Sequence, residues 1–333
     1  MITSNHIPVN EPPTKRMKRM KRILFIDYAR VFALFLVVFA HLYSATSAVR
    51  LYIYAFHMPL FFLISGYLHR NANTWELTIK MSKKMLIPFG FFLLIGYLYG
   101  VLTSGGLRLD LIRGSINGTL YGRSIPANGV IWFLLAMFTT RIIGNILIKY
   151  PKVAAIPILI LFVYINYHKI NTLFLGSALM AIPFYLSGHY MGGVIRVLST
   201  CRYNLILSIV FLAVSILISK YNGKVSMMWM SYGNTSIPIL SFFMFYLNGL
   251  IGSLFVLCAA GACTKESRIV NVISISSISI VGVQAIPILA WIHYLGINQD
   301  IFLSMLYSMI VIALCVLFHI GISRKLPWLL GGE

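Results

Sequence analysis

Residues 26–44 read IDYARVFALFLVVFAHLYS, an almost wholly apolar stretch that carries three ionisable groups, Asp27, Arg30 and His41. It belongs to an apolar run long enough to cross a bilayer, for which a helix needs about 20 residues. Charges at that depth are costly, and they persist where they face a protein interior or a water-filled cavity. Helical geometry gathers them. At about 100° per residue, the eleven steps from Arg30 to His41 end about 20° from three full turns. Asp27 lies about 60° round the helix from Arg30, so all three point to roughly one side, with Arg30 and His41 about 16 Å apart along the axis.

The whole composition agrees with a membrane setting. The 333 residues are 59% hydrophobic and 10% charged, with a mean hydropathy of +0.87. A soluble domain carries about 25% charged residues, so this is an integral membrane protein. A net charge of +20 would suggest nucleic acid in a soluble chain. Here it reflects Lys and Arg retained on the cytoplasmic side of a bilayer, and no nucleic-acid partner is expected. The four cysteines, Cys201, Cys258, Cys263 and Cys315, lack metal-ligand spacing and lie in or beside apolar runs. They read as small buried side chains, and no metal is expected.

Residues 1–22 are polar and contain the basic cluster Lys15, Arg16, Lys18, Arg19, Lys21 and Arg22. The apolar segment that follows is longer than the core of a signal peptide, and Ala45–Ala48 offers no clear cleavage site. An uncleaved first span is therefore expected, oriented by a basic cytoplasmic tail. Ten apolar runs qualify as helices, at 23–46, 51–69, 85–103, 130–149, 153–168, 173–195, 203–219, 237–261, 270–293 and 300–321. With the N-terminus inside, eighteen Lys and Arg fall in cytoplasmic segments and seven in external ones, while Arg30 and Arg141 lie within spans. This asymmetry supports ten helices with both ends cytoplasmic, since one missed span would spoil the alternation. The expected division is a tail at 1–22, a single all-α membrane domain at 23–326 and a C-terminal tail at 327–333. The longest loops, 104–129 and 220–236, are both external, and the first is placed to fold over the outer mouth.

Several side chains invite chemistry. His57 enters the second helix at a depth similar to His41, so two imidazoles can meet near one mouth. Histidine can take a proton from a hydroxyl while resting mostly neutral. Arginine stays charged and can hold an anion or steady Asp27; a structural Asp27–Arg30 ion pair is the simpler alternative. Lys80, Lys83 and Lys84 share a helix face at the cytoplasmic approach to the third helix. They read as positive-inside bias, or as a mouth that binds the phosphates of a nucleotide-like donor. Arg141 sits mid-span and must face inward or pair. Trp132 starts the fourth helix at the outer interface, where anchoring alone explains a tryptophan. Ser65-Gly66 and Gly188 read as close-packing sites, and His189 is a further polar candidate.

At these residues the chain resembles the acyltransferase-3 family of membrane O-acyltransferases, especially its fucose 4-O-acetylase-like branch. The elements are the Asp-x-x-Arg pair (Asp27, Arg30), the Arg30-to-His41 spacing and FHMPLFFLISGYL at 56–68. The basic-LIP segment at 84–88, Trp132-Phe133-Leu134 and IPFYLSG at 182–188 add to them. The resemblance implies transfer of an acyl group, commonly from acetyl-CoA, to a hydroxyl of a cell-surface polysaccharide or lipid-linked glycan at a bacterial inner membrane. It makes His41 the essential histidine and Arg30 its companion. Asp27 and His57 join them as catalytic candidates, Lys80, Lys83 and Lys84 as the donor site, and Arg141, Trp132 and Ser65 as cavity candidates. Two departures stand out. Met81 and Lys84 stand where the family often has Arg-x-x-Arg, and SISIVGVQAIPI at 277–288 has Gln284 where a histidine is common. The rival reading is a transporter or flippase, because buried Asp, Arg and His also build proton relays.

Overall fold

The computed structural model describes residues 23–43, 47–295 and 300–332, so the basic tail expected at 1–22 lies outside the described residues. Among the described residues the chain is helical, with one isolated backbone bridge between Ser226 and Ser231. The helices are α1 (Leu24–Leu42), α2 (Ala48–Tyr67), α3 (Thr74–Ser104), α4 (Leu109–Leu120), α5 (Trp132–Lys149) and α6 (Pro151–His168). They continue as α7 (Leu175–Tyr190), α8 (Gly192–Thr200), α9 (Asn204–Asn222) and α10 (Pro238–Gly261). The last are α11 (Arg268–Ile275), α12 (Ser277–Val283), α13 (Ala285–Leu295) and α14 (Ile301–Lys325).

Nine described helices are long and apolar enough to cross a membrane, and Arg268–Ile275 with Ser277–Ile292, bent by 58°, supplies a tenth if the pair counts as one span. The ninth segment was expected to run unbroken, and its residues explain why it does not. Ser277 turns its hydroxyl back onto the Ser274 carbonyl, a bond that competes with regular helix. The 58° bend falls at Ser276; further on, Pro287 removes the amide that would have bonded the Val283 carbonyl, which leaves a lesser interruption at Gln284 within Ser277–Ile292. The sixth span, expected to reach 195, ends at Tyr190, with a new short helix starting at Gly192. The third begins earlier than expected: the Asn73 side chain accepts from the Trp75 amide at 2.9 Å and caps a helix that starts at Thr74. The 104–129 loop contains α4, whose Ser115 hydroxyl accepts from the Ala127 amide and folds the loop's end back beneath it.

The first helix occupies the middle of the bundle, in contact with α2, α10, α11, α12, α13 and α14. Its small and branched residues make this possible, for Ala29, Ala33, Leu34, Val38 and Ala40 are fully buried. The α6 and α9 helices stand at the periphery with apolar side chains facing outward, as lipid-exposed helices do. At the other extreme of packing, α2 and α7 nearly touch backbones. A side chain at Gly66 would run into the Tyr185 carbonyl, and one at Gly188 into the Leu63 carbonyl. Small residues are how membrane helices reach such contact. After α14 the chain turns through Pro327–Leu330, buries Leu330, and lays Gly331 against the backbone of Lys84.

Gly188→Val should cost more than about 3 kcal/mol, because backbone atoms cannot yield as a side chain can. Size-exclusion profiles and thermal unfolding in detergent should show its collapse, while Gly90→Ala, where the added carbon meets open space, should behave as the parent.

Candidate active site

A cavity of about 270 Å³ opens where α1 ends and α2 begins. His41 comes from the last turn of α1, Arg50, Tyr54 and His57 from the first half of α2, and Trp132 from the first turn of α5. Gly129 and Val130 close one side, Val225 to Trp229 another, and Val281 with Gln284 the break between α12 and α13. Thus His41 and His57, separated by sixteen residues in sequence, line one chamber with an arginine.

The hydrogen bonds constrain the two imidazoles differently. His57 Nδ1 lies 2.8 Å from the Ile53 carbonyl oxygen, which can only accept, so Nδ1 carries the proton and Nε2 is the basic nitrogen. His41 Nδ1 lies 3.4 Å from the Tyr54 hydroxyl, which also receives Arg50 Nη2 at 3.3 Å. The Tyr54 oxygen has two lone pairs and can accept from both, an arrangement that leaves His41 Nε2 bare as well. Arg50 Nη1 reaches the Tyr43 carbonyl at 3.4 Å, and the guanidinium carbon stands 5.2 Å above the Tyr54 ring. One arginine therefore ties the end of α1 to the start of α2 and brings positive charge to the chamber.

Gln284 forms part of the wall, 1% exposed, with Oε1 buried and without a hydrogen-bond partner among the described residues. A buried, unpartnered acceptor in a cavity wall is a group able to bind a donor from a ligand. Behind it, Asn128 Nδ2 donates to the Gly282 carbonyl at 2.7 Å and the Phe92 carbonyl at 3.3 Å. That side chain joins the 121–131 loop, α3 and α12, and so fixes the chamber's depth.

The other sequence candidates fall elsewhere. Asp27 and Arg30 form an ion pair at 3.7 Å near the opposite end of α1, and the Ser274 hydroxyl donates to Asp27 at 2.7 Å. Neither lines the His41 chamber. Lys83 and Lys84 belong to a π-turn, Ser82–Leu86, closed by the Ile87 amide on the Ser82 carbonyl. The wider turn interrupts the α spacing on which their shared face with Lys80 was read. Arg141 and Ser65 are outside the chamber lining. The Arg141 charge faces the Tyr185 hydroxyl, which lies 2.7 Å from His69 Nδ1, and the His69 and His189 ring centres are 5.1 Å apart. Among the chamber's polar residues, sequence reading did not select Arg50, Tyr54, Lys224 or Ser226, and met Gln284 only as a departure from the family pattern. Arg50 and Lys224 read as ordinary loop charges, and the fold brings both to the chamber lining, Lys224 at its exposed edge.

A family model described as an acyltransferase domain matches residues 23–322. The chain belongs to the acyltransferase-3 family and is a membrane acyltransferase. Comparisons with curated proteins and with solved structures give no significant match.

Asn128→Leu should lower stability by about 2 kcal/mol, because it leaves two buried carbonyls without their donor. Thermal unfolding in detergent checks this, and transfer activity should fall with it as the chamber loses its back wall.

Proposed function

We propose that the protein is an O-acetyltransferase of the fucose 4-O-acetylase-like kind, carrying an acetyl group from cytoplasmic acetyl-CoA to a hydroxyl of a surface polysaccharide or lipid-linked glycan at a bacterial inner membrane. The observation that carries this reading is the single chamber holding His41, His57 and Arg50 at the far end of α1 from the Asp27–Arg30 pair. The charge pattern of the loops supports an outer position for the chamber and an inner one for Lys80, Lys83 and Lys84. The donor's phosphates rest against the lysines, and its extended arm brings the thioester toward His41.

In the chamber His41 Nε2 takes the proton of the acceptor hydroxyl as that oxygen attacks the thioester carbonyl. The resulting oxyanion lies in reach of the Arg50 charge, where a fixed cation is most valuable. Collapse breaks the carbon–sulfur bond, and the proton on His41 passes to the departing thiolate. His57 supports the transfer as a second base held in one tautomer by Ile53. The Asp27–Arg30 pair is a positioning element that fixes α1 against α11 through Ser274.

Isolated membranes given radiolabelled acetyl-CoA test this. Label should reach glycan, and His41→Ala should reduce transfer by about 100-fold or more while the protein still accumulates in the membrane. Full activity of that variant would overturn the assignment, and gradient-driven uptake without acylation would mark a transporter instead. Lys83→Ala with Lys84→Ala should raise the KM for acetyl-CoA with little change in kcat; an unchanged KM removes the lysines from the donor site.

A further inference from the structure

Beside the His41 chamber lies a second cavity of about 370 Å³, and Met228 and Trp229 belong to the walls of both. Its other walls come from residues 121–123 and 169–172, so three separate loops build one trough. It offers two exposed cations, Arg123 and Lys169, and among the described residues no acidic side chain lines it. Two aromatic residues stand at its surface, Tyr121 at 62% exposure and Trp229 at 58%. The Arg123 guanidinium carbon sits 5.9 Å from the Tyr121 ring centre, close enough for the ring to orient it. Asp110, outside the trough lining, is already paired with Arg108, whose hydrogen bond and charge hold its carboxyl at about 2 and keep it ionised.

The trough is built rather than incidental, and Asn171 is its keystone. Its Nδ2 donates to the Gly122 carbonyl at 3.1 Å and to the Met228 carbonyl at 2.9 Å, and its Oδ1 accepts from the Ser177 amide at 3.0 Å. One buried side chain thereby fastens all three loops to the start of α7. Gly122 has φ +61°, and any side chain there would meet the Asn171 backbone. Lys169 and Met230 hold left-handed backbones at φ 53° and 51° without being glycine, a cost sustained by the surrounding bonds.

We propose that this trough is the acceptor subsite and that it selects an anionic glycan, one sugar unit lying on Trp229 with its carboxylate or phosphate held between Arg123 and Lys169. The inference rests on the acyl-transfer reading, because it places the acceptor's next unit one wall away from His41. Exposed aromatic faces suit the apolar side of a sugar ring, and paired cations suit the charge it carries. Lys224 and Arg50 continue the positive surface into the chamber, so an acidic chain meets attraction along its whole approach.

The experiment uses the full chain in phosphatidylcholine nanodiscs, with end-labelled tetragalacturonate followed by fluorescence anisotropy. Tetragalacturonate should bind and be released by salt, and its neutral methyl ester should bind about tenfold more weakly or worse. Arg123→Ala with Lys169→Ala should weaken the acidic tetramer by a similar factor. Lys149→Ala with Lys152→Ala, which removes equal charge outside the trough, should leave binding unchanged. A farnesyl-diphosphate-linked N-acetylglucosamine serves as competitor. Displacement supports a lipid-linked source of the negative group, and tetramer binding without displacement supports a polymer. Equal binding of the methyl ester, unchanged binding by the Arg123/Lys169 variant, or no binding of either acidic probe overturns the proposal. The two readings fail separately. Acetyl transfer that proceeds equally to neutral glycans overturns the subsite alone, whereas charge-selective binding with no transfer to any acceptor overturns the acyl-transfer reading, and with it the trough's role as acceptor subsite, but not its selection of an anionic glycan.

Discussion

A bilayer does not tolerate Asp27, Arg30 and His41 on a helix that faces lipid, and this requirement governs the architecture. The first helix answers it by standing in the centre, where small buried residues let other helices approach closely. Each charge then finds company within protein: Asp27 with Arg30 and Ser274 at one end, His41 with Tyr54 at the other. Peripheral helices such as α6 and α9 have no such demand and read as plain lipid-facing spans. The broken ninth segment follows the same logic, because its serines supply Asp27 with a hydroxyl while its break presents Gln284 to the chamber.

Most of the fold was legible because lipid-crossing helices announce themselves by length and apolarity. The shared chamber of His41 and His57 was legible too, since both lie near the same ends of adjacent spans. What escaped notice depends on backbone bonds and loop folding, which hydropathy does not encode. The α4 helix sits in a glycine-rich stretch with mixed charge, where its apolar residues looked like fragments. Residues 225–229 turn back over the chamber through the Ser226–Ser231 bridge, a contact no spacing rule suggests. In sequence Gln284 is only a departure from the family pattern, whereas the fold places it in the site wall. The lysine face on α3 was read with regular α spacing, and the π-turn alters that spacing at Lys83 and Lys84.

The distribution of function along α1 also separates two kinds of residue. Arg30 and His41 share a face, yet only His41 borders the chamber, so their common orientation reflects a shared need for a protein environment. Arg30 secures the helix through Asp27, and the cation at the chamber is Arg50 from the next helix. A sequence stripe therefore resolved into an anchoring end and a reactive end.

The chamber's apolar wall has a property of its own. Met58, Met227 and Met228 line it, with unbranched thioether side chains that can adopt several shapes at low energy. A wall of that kind is a poor ruler: it accommodates ring stereochemistry and substituents of different bulk with small penalties. Discrimination in such a chamber falls to its fixed polar groups, and the site distinguishes ligands by where they carry charge and hydrogen-bonding groups more than by how large they are.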